Sequence, residues 1–211
     1  MQVFGSNLWL SDGPVLTAAL GFQYPTRMAV VRLATGDLWV WSPVALQPVH
    51  AQVEALGPVR HIVQPSALHD TWIREWRAAY PEARVWGPNF DIVPRSAEVD
   101  HVTVPNRIAN ETVFFHHESR TVLICDLLQQ LPRDWYSGWR GLVARLDGMV
   151  GAAPQMPLKF RMALRPGARK AIQKILAWDA QRLVVAHGPP VDQNAAAVLQ
   201  KAFGFVLRRQ G

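Results

Sequence analysis

The chain has 211 residues, 49% of them hydrophobic and 18% charged. That is enough apolar material for a sizeable core and too little charge for a disordered protein. No apolar run approaches the ~20 residues needed to cross a bilayer, and the N-terminus, MQVFGSNLWLSDG, lacks the basic start of a signal peptide. Cys125 is the only cysteine, which excludes an internal disulfide and fits a reducing cytoplasm. The net charge of +6 and the pI of about 10.1 raise the question of nucleic acid. However, the densest basic window, Lys159 to Lys174, is interrupted by Pro166 and Gly167 and cannot form one continuous basic helix. A single cytoplasmic domain over 1–211 is expected, with neither nucleic acid nor a membrane as partner and an oligomeric state that composition does not fix.

In chain order, residues 7–10 and 28–33 read as strands, with turn chemistry at Asp12-Gly13-Pro14 and Tyr24-Pro25-Thr26. Thr35-Gly36-Asp37 turns 28–33 back onto 38–42 as a hairpin. A short helix is predicted from Pro48 to Leu56, then a strand at 61–63. The spacing of Trp72, Ile73, Trp76 and Ala79 predicts a helix from His69 to Tyr80, followed by a short strand at 84–86. Residues 89–110 read as irregular, with a strand at 101–104. Strands at 113–115 and 121–125 flank His116-His117-Glu118-Ser119-Arg120 as a second hairpin. Helices are predicted at about 133–150 and 168–179, a buried strand at 183–186, and a last helix at about 191–207. Two β-rich halves that each carry helices suit two sheets between helical layers better than one doubly wound sheet. No glycine-rich phosphate loop occurs.

Three apolar strands end in residues with acid/base or ligand chemistry: TVLIC before Asp126, LVVA before His187, and HIV before His69 and Asp70. Ends of strands are where α/β folds hold a site. If Glu118-Ser119 is the hairpin turn, Glu111 faces Asp126, and two facing carboxylates repel unless a cation, an Arg or a shared proton intervenes. Each residue also has a plainer role open to it. Asp70 can cap a helix, His187 can order its loop, and Cys125 should point away from Asp126 as its strand neighbour. His116-His117-Glu118 lies at the hairpin tip and reads as a solvated turn. Trp39 and Trp41 share one face of a strand and read as core.

The stretches TRMAVVRLATGDLWVWSP, LGPVRHIVQPS, FFHHESRTVLICDLL and the terminal VVAHG, in this order, resemble the metallo-β-lactamase fold superfamily. More closely, they resemble an uncharacterised branch, a domain of unknown function with an eroded metal motif. The resemblance implies an α/β (α+β) fold, a four-layer αββα sandwich of two mixed sheets flanked by helices. It also implies where the metal motif falls. Pro65 and Ala67 stand where the family has its first two His ligands, His69 at its Asp and Asp70 at its third His. Asp126 stands at the bridging Asp and His187 at the final His, while no His is in place between His101 and Asn110. The implied ligand set is His69, Asp70, Asp126 and His187, suited to one Zn, Mn or Fe ion, or to none.

The leading expectation is therefore a hydrolase-like protein of unknown small-molecule substrate with at most one metal. If active, it is a metal-dependent hydrolase of an ester, amide, thioester or phosphoester. A non-catalytic module binding a small molecule or protein on the same fold is the alternative, and a basic nucleic-acid-associated protein the third.

Overall fold

Backbone pairing sorts the strands into two mixed sheets, of six and four strands. The computed structural model describes residues 1–88, 90, 91 and 97–208, and the chain divides into two compact units, Met1–Glu98 and Val99–Gly211. Part of the predicted irregular stretch 89–110, residues 89 and 92–96, lies outside the described residues. Among the described residues no helix is long and apolar enough to cross a membrane.

The first unit holds β1 (Gln2–Gly5), β2 (Leu8–Thr17), β3 (Gln23–Arg32), β4 (Leu38–Trp41), β5 (Val59–Val63) and β6 (Arg84–Trp86), side by side in chain order. β1 to β4 are antiparallel, whereas β4, β5 and β6 are parallel. Parallel neighbours need crossovers, and α1 (His50–Glu54) and α2 (Ile73–Ala79) lie within them. One face of the sheet, with Met28, Val30, Val40 and Ile62, packs against Val53, Ile73 and Trp76 from those helices. The buried Trp76 indole N–H donates to the Val44 carbonyl at 2.7 Å. Trp39 and Trp41 are buried as expected.

Two expected turns lie inside strands instead. Gly13 pairs with Thr26, and the register shifts between Gly13 and Leu16, a bulge that absorbs Pro14, which has no N–H to give the ladder. The Thr26 hydroxyl donates to the Pro14 carbonyl at 2.8 Å. A Cβ on Gly13 would come within 2.6 Å of Thr26 Oγ1 and of Val44, so this glycine permits a close approach and marks no turn. The chain reverses at Ala19–Gly21, where Leu20 and Gly21 have positive φ. The Thr35-Gly36-Asp37 turn is present, with Gly36 at φ 87° and the Leu33 N–H bonded to the Asp37 carbonyl at 2.9 Å.

The second unit orders its strands β10 (Arg182–His187), β9 (Thr121–Gln129), β8 (Glu111–His116), β7 (Val99–Val104). β7 to β9 are antiparallel and β10 is parallel to β9. His116 faces Thr121 and Phe114 faces Leu123, the register that the two-residue turn implies. The tip is less solvated than expected: His116 and Ser119 are buried, with Nδ1 and Oγ 2.7 Å apart. The predicted helix at 133–150 is shorter, α3 (Gly138–Asp147), ended by Gly148 at φ 75°. A further short helix, α4 (Leu158–Met162), precedes α5 (Ala168–Ala177), and α6 (Ala195–Arg208) closes the unit. Ile172 and Ile175 of α5 and Leu199 and Phe203 of α6 share a core with Val122, Ile124 and Val185 of the sheet.

Asp100 of β7 is bonded to α5 and to the residue that follows it, by Lys174 Nζ at 2.8 Å, Trp178 Nε1 at 3.0 Å and the His101 N–H at 2.7 Å. Burial works to raise its pKa, but these three bonds outweigh it and hold the carboxyl below its ordinary range. A carboxyl depressed on folding adds stability that is complete above its unfolded pKa, about 3.9. That stability is lost as pH falls through the lower folded value. Asp100→Asn is expected to destabilise the protein by about 1 kcal/mol at neutral pH, the scale of a solvent-screened charged pair. The difference from the parent should vanish in acid, as urea titrations along the acid limb would show.

Candidate metal centre

Because β9 and β10 are parallel, their C-terminal residues arrive at the same end of the sheet. The ladder between them then slips. Ile124 faces Val185, but the next pair is Gln129 with His187. Pairing of β9 with β8 has already ended at Phe114–Leu123. The N–H groups of residues 125–127 turn instead to a side chain, the fully buried Glu111. Its Oε1 accepts from Cys125 at 2.8 Å, and its Oε2 accepts from Asp126 and Leu127, each at 2.8 Å. Three successive N–H groups converging on one carboxylate form an anion nest, which an extended strand cannot make.

Asp126 thus sits in a bulge inside β9 and not beyond its end. Its Oδ1 lies 3.3 Å from His187 Nε2, and both residues are buried. His187 is held through its backbone: its carbonyl accepts the Gln130 N–H at 2.9 Å. A Cβ on the next residue, Gly188, would lie 2.6 Å from the Gln130 carbonyl oxygen, so glycine there lets the end of β10 close on the chain leaving β9.

The bulge also redirects Cys125. Its thiol lies with carboxylate oxygens of Glu111 and Asp126 in a group whose atoms are all within 4.8 Å of one another, contrary to the expected alternation. It is buried and unbridged. Burial, then the nearby Glu111 and Asp126 charges, push its pKa well up, which keeps it a thiol and a poor ligand. Burial first, and the Asp126 charge second, push the Glu111 carboxyl up to about 8, against the pull of the Cys125 and Leu127 N–H bonds. Glu111 is a residue of the candidate site that stands at the start of its strand, β8, where reading the C-terminal ends of strands passes over it. The hairpin register, which places it opposite Asp126, is the signal for it.

His69 and Asp70 belong to the first unit, in the turn after β5. Ser66 shapes that turn by accepting the Leu68 N–H on its hydroxyl at 3.1 Å and the His69 N–H on its carbonyl at 3.0 Å. Pro65 is buried and Ala67 exposed. His69 Nδ1 lies 2.9 Å from the hydroxyl of Ser42, a buried residue with φ 49°, which fixes the ring. Asp70 is exposed and does not cap α2. The helix starts three residues later, with Trp72 at its N-cap and no side-chain cap, because Asp70 uses its backbone carbonyl to close a turn with Ile73.

Asp126 and His187 fit a divalent ion by chemistry and by spacing. Two ligand atoms ~2.0–2.1 Å from a tetrahedral Zn²⁺ are roughly 3.3 Å apart, which is the separation observed. Glu111 is committed to three N–H groups and stands behind the pair as its support.

Residues 15–92 match a family described as a domain of unknown function (DUF4336). No curated protein sequence matches the chain. Among solved structures, the metallo-β-lactamase FIM-1 from Pseudomonas aeruginosa, in its mono-zinc form, is similar with a TM-score of 0.61 at 12% identity, over 98% of this chain and 95% of that one. DIM-1, another metallo-β-lactamase, gives 0.65 at 10% identity, over 99% and 96%. The chain has the metallo-β-lactamase fold. Its two mixed sheets with their helices are the α+β architecture that the sequence resemblance implies. The metal-soaked flavodiiron core of Flv1 from Synechocystis gives 0.64 at 11% identity over all of this chain. This metallo-β-lactamase-fold chain spans 60% of that core's length.

Removing the Glu111 carboxylate strands three buried N–H groups, each costing about 1–3 kcal/mol when unsatisfied. Glu111→Ala is expected to destabilise the protein by about 3 kcal/mol or more. Glu111→Gln should also destabilise, since its amide places a donor against donors. Chemical denaturation of both variants checks this, and parent-like stability of either would contradict the clamp.

Proposed function

We propose that this is a hydrolase-like protein of the metallo-β-lactamase fold with a degenerate centre that holds at most one divalent ion, with Asp126 and His187 as its core ligands. The observation that carries the reading is the buried carboxylate–imidazole pair at 3.3 Å, set on a bulge that only the Glu111 clamp explains. Support for a metal comes from the fold's company, a mono-zinc lactamase and a metal-soaked flavodiiron core. Support for a single ion comes from Pro65 and Ala67, whose side chains offer no ligand atom at the positions of the first two family histidines. His69 and Asp70 join the proposed set on the sequence resemblance alone.

A bound Zn²⁺, Mn²⁺ or Fe²⁺ would supply Lewis acidity and a water of lowered pKa. The chain's own part is to orient the ligands: Glu111 fixes the Asp126 backbone, and the Gln130–His187 bond with Gly188 fixes the imidazole. An ester, amide, thioester or phosphoester is the substrate class such a centre serves. The competing reading, a non-catalytic binding module, draws on the same pair, because Asp126 and His187 can satisfy each other at 3.3 Å with no ion at all.

Metal content separates the two. Protein purified without chelator is expected to carry up to one equivalent of Zn, Mn or Fe. Adding Zn²⁺ or Mn²⁺ should raise its stability, by about 2.7 kcal/mol at a hundredfold excess over Kd, and Asp126→Ala with His187→Ala should abolish the rise. A parent protein without stoichiometric metal, and with a melting temperature indifferent to both ions, would leave the binding module standing.

A further inference from the structure

α3 is built inside out. Its buried residues are the small Gly141 and Ala144, while Trp139, Leu142, Val143 and Leu146 are 52%, 58%, 41% and 71% exposed. Those four fall at i, i+3, i+4 and i+7, one continuous stripe of the helix. The neighbouring α4 adds Leu158 and Met162, 46% and 74% exposed. A soluble surface scatters its apolar residues singly, whereas a contiguous patch marks an interaction face.

Basic side chains border the stripe on both edges. At 100° per residue, Arg140 and Arg145 flank it on either side, and the Arg140 guanidinium lies 4.8 Å from the Trp139 ring centroid. Arg145 also borders a cleft of about 920 Å³ together with Arg133, Arg161 and Lys201, and among the described residues no carboxylate lines it. Arg161 is positioned by stacking its guanidinium 3.8 Å from the Phe205 ring centroid. The one acid at the end of α3, Asp147, is taken up by Lys159, at 3.1 Å from its ammonium and 2.8 Å from its backbone N–H.

We propose that α3 and α4 form a docking face for an anionic phospholipid surface, with the apolar stripe entering the interface and the cleft arginines receiving headgroup phosphates. Tryptophan suits the interfacial zone, long basic side chains keep their charge at headgroup level while their stems lie on apolar surface, and an amphipathic helix with a basic rim binds in the membrane plane. A second copy of this chain suits the face poorly. Pairing two such faces would bring their arginine rims together, on a chain already at +6. This inference is independent of the metal centre.

Flotation of the full chain with phosphatidylcholine vesicles, with and without phosphatidylglycerol, tests it. Binding should need the anionic lipid and fall as salt rises. Leu142→Ser with Leu146→Ser, and separately Arg140→Gln with Arg145→Gln, should each weaken binding at least about tenfold. Leu142, Arg145 and Leu146 are exposed and Arg140 is half-buried at the surface, so both variants should stay folded, with a melting temperature close to the parent's. Absent or salt-insensitive binding, or binding that survives both pairs of substitutions, would overturn the proposal. So would light scattering that finds a dimer dispersed by the leucine substitutions, since the stripe would then be covered by a second copy.

Discussion

A single carboxylate organises the candidate centre. Glu111 takes the three N–H groups that β9 releases when its ladders to β8 and β10 lapse. Buried N–H groups need acceptors, so the bulge at 125–127 exists only because a side chain from the adjacent strand supplies them. The bulge in turn aims Asp126 at His187, and parallel pairing with a register slip brings His187 to the same end of the sheet. Glu111 is therefore structural in its bonds, and those bonds shape the candidate centre. It sets the position of Asp126, the proposed ligand.

The sequence made part of this legible. Alternating and continuous apolar runs located most of the strands, Thr35-Gly36-Asp37 announced its hairpin, and the two-residue turn at Glu118-Ser119 fixed a register that put Glu111 opposite Asp126. What stayed hidden depended on partners far along the chain. Gly13 and Pro14 carry turn chemistry, yet they sit in a strand because Thr26 and Val44 press against them. Cys125 was expected to face away from Asp126, an inference sound for a flat strand and overturned by the bulge. The same limit applies to Asp70, where the capping pattern was present but the helix began three residues on. Local pattern finds elements; distant acceptors decide how they bend.

Under the proposed function, the ligand positions implied by the sequence resemblance are lost on one side only. Pro65 and Ala67 remove ligand atoms, whereas Asp126 and His187 keep theirs, buried and at metal-ligand separation. A buried carboxylate and imidazole are costly to keep unless they pair with each other or with an ion. Their retention beside a second buried carboxyl group, Glu111, is consistent with the proposed cation at this pair.

Anomalous scattering at the zinc absorption edge, from crystals grown with zinc, addresses this most directly. The account expects one peak within bonding distance of Asp126 Oδ1 and His187 Nε2, with the three N–H bonds to Glu111 in place. Two peaks, as an intact two-metal centre would give, or no peak at this pair while zinc occupies other sites, would contradict it.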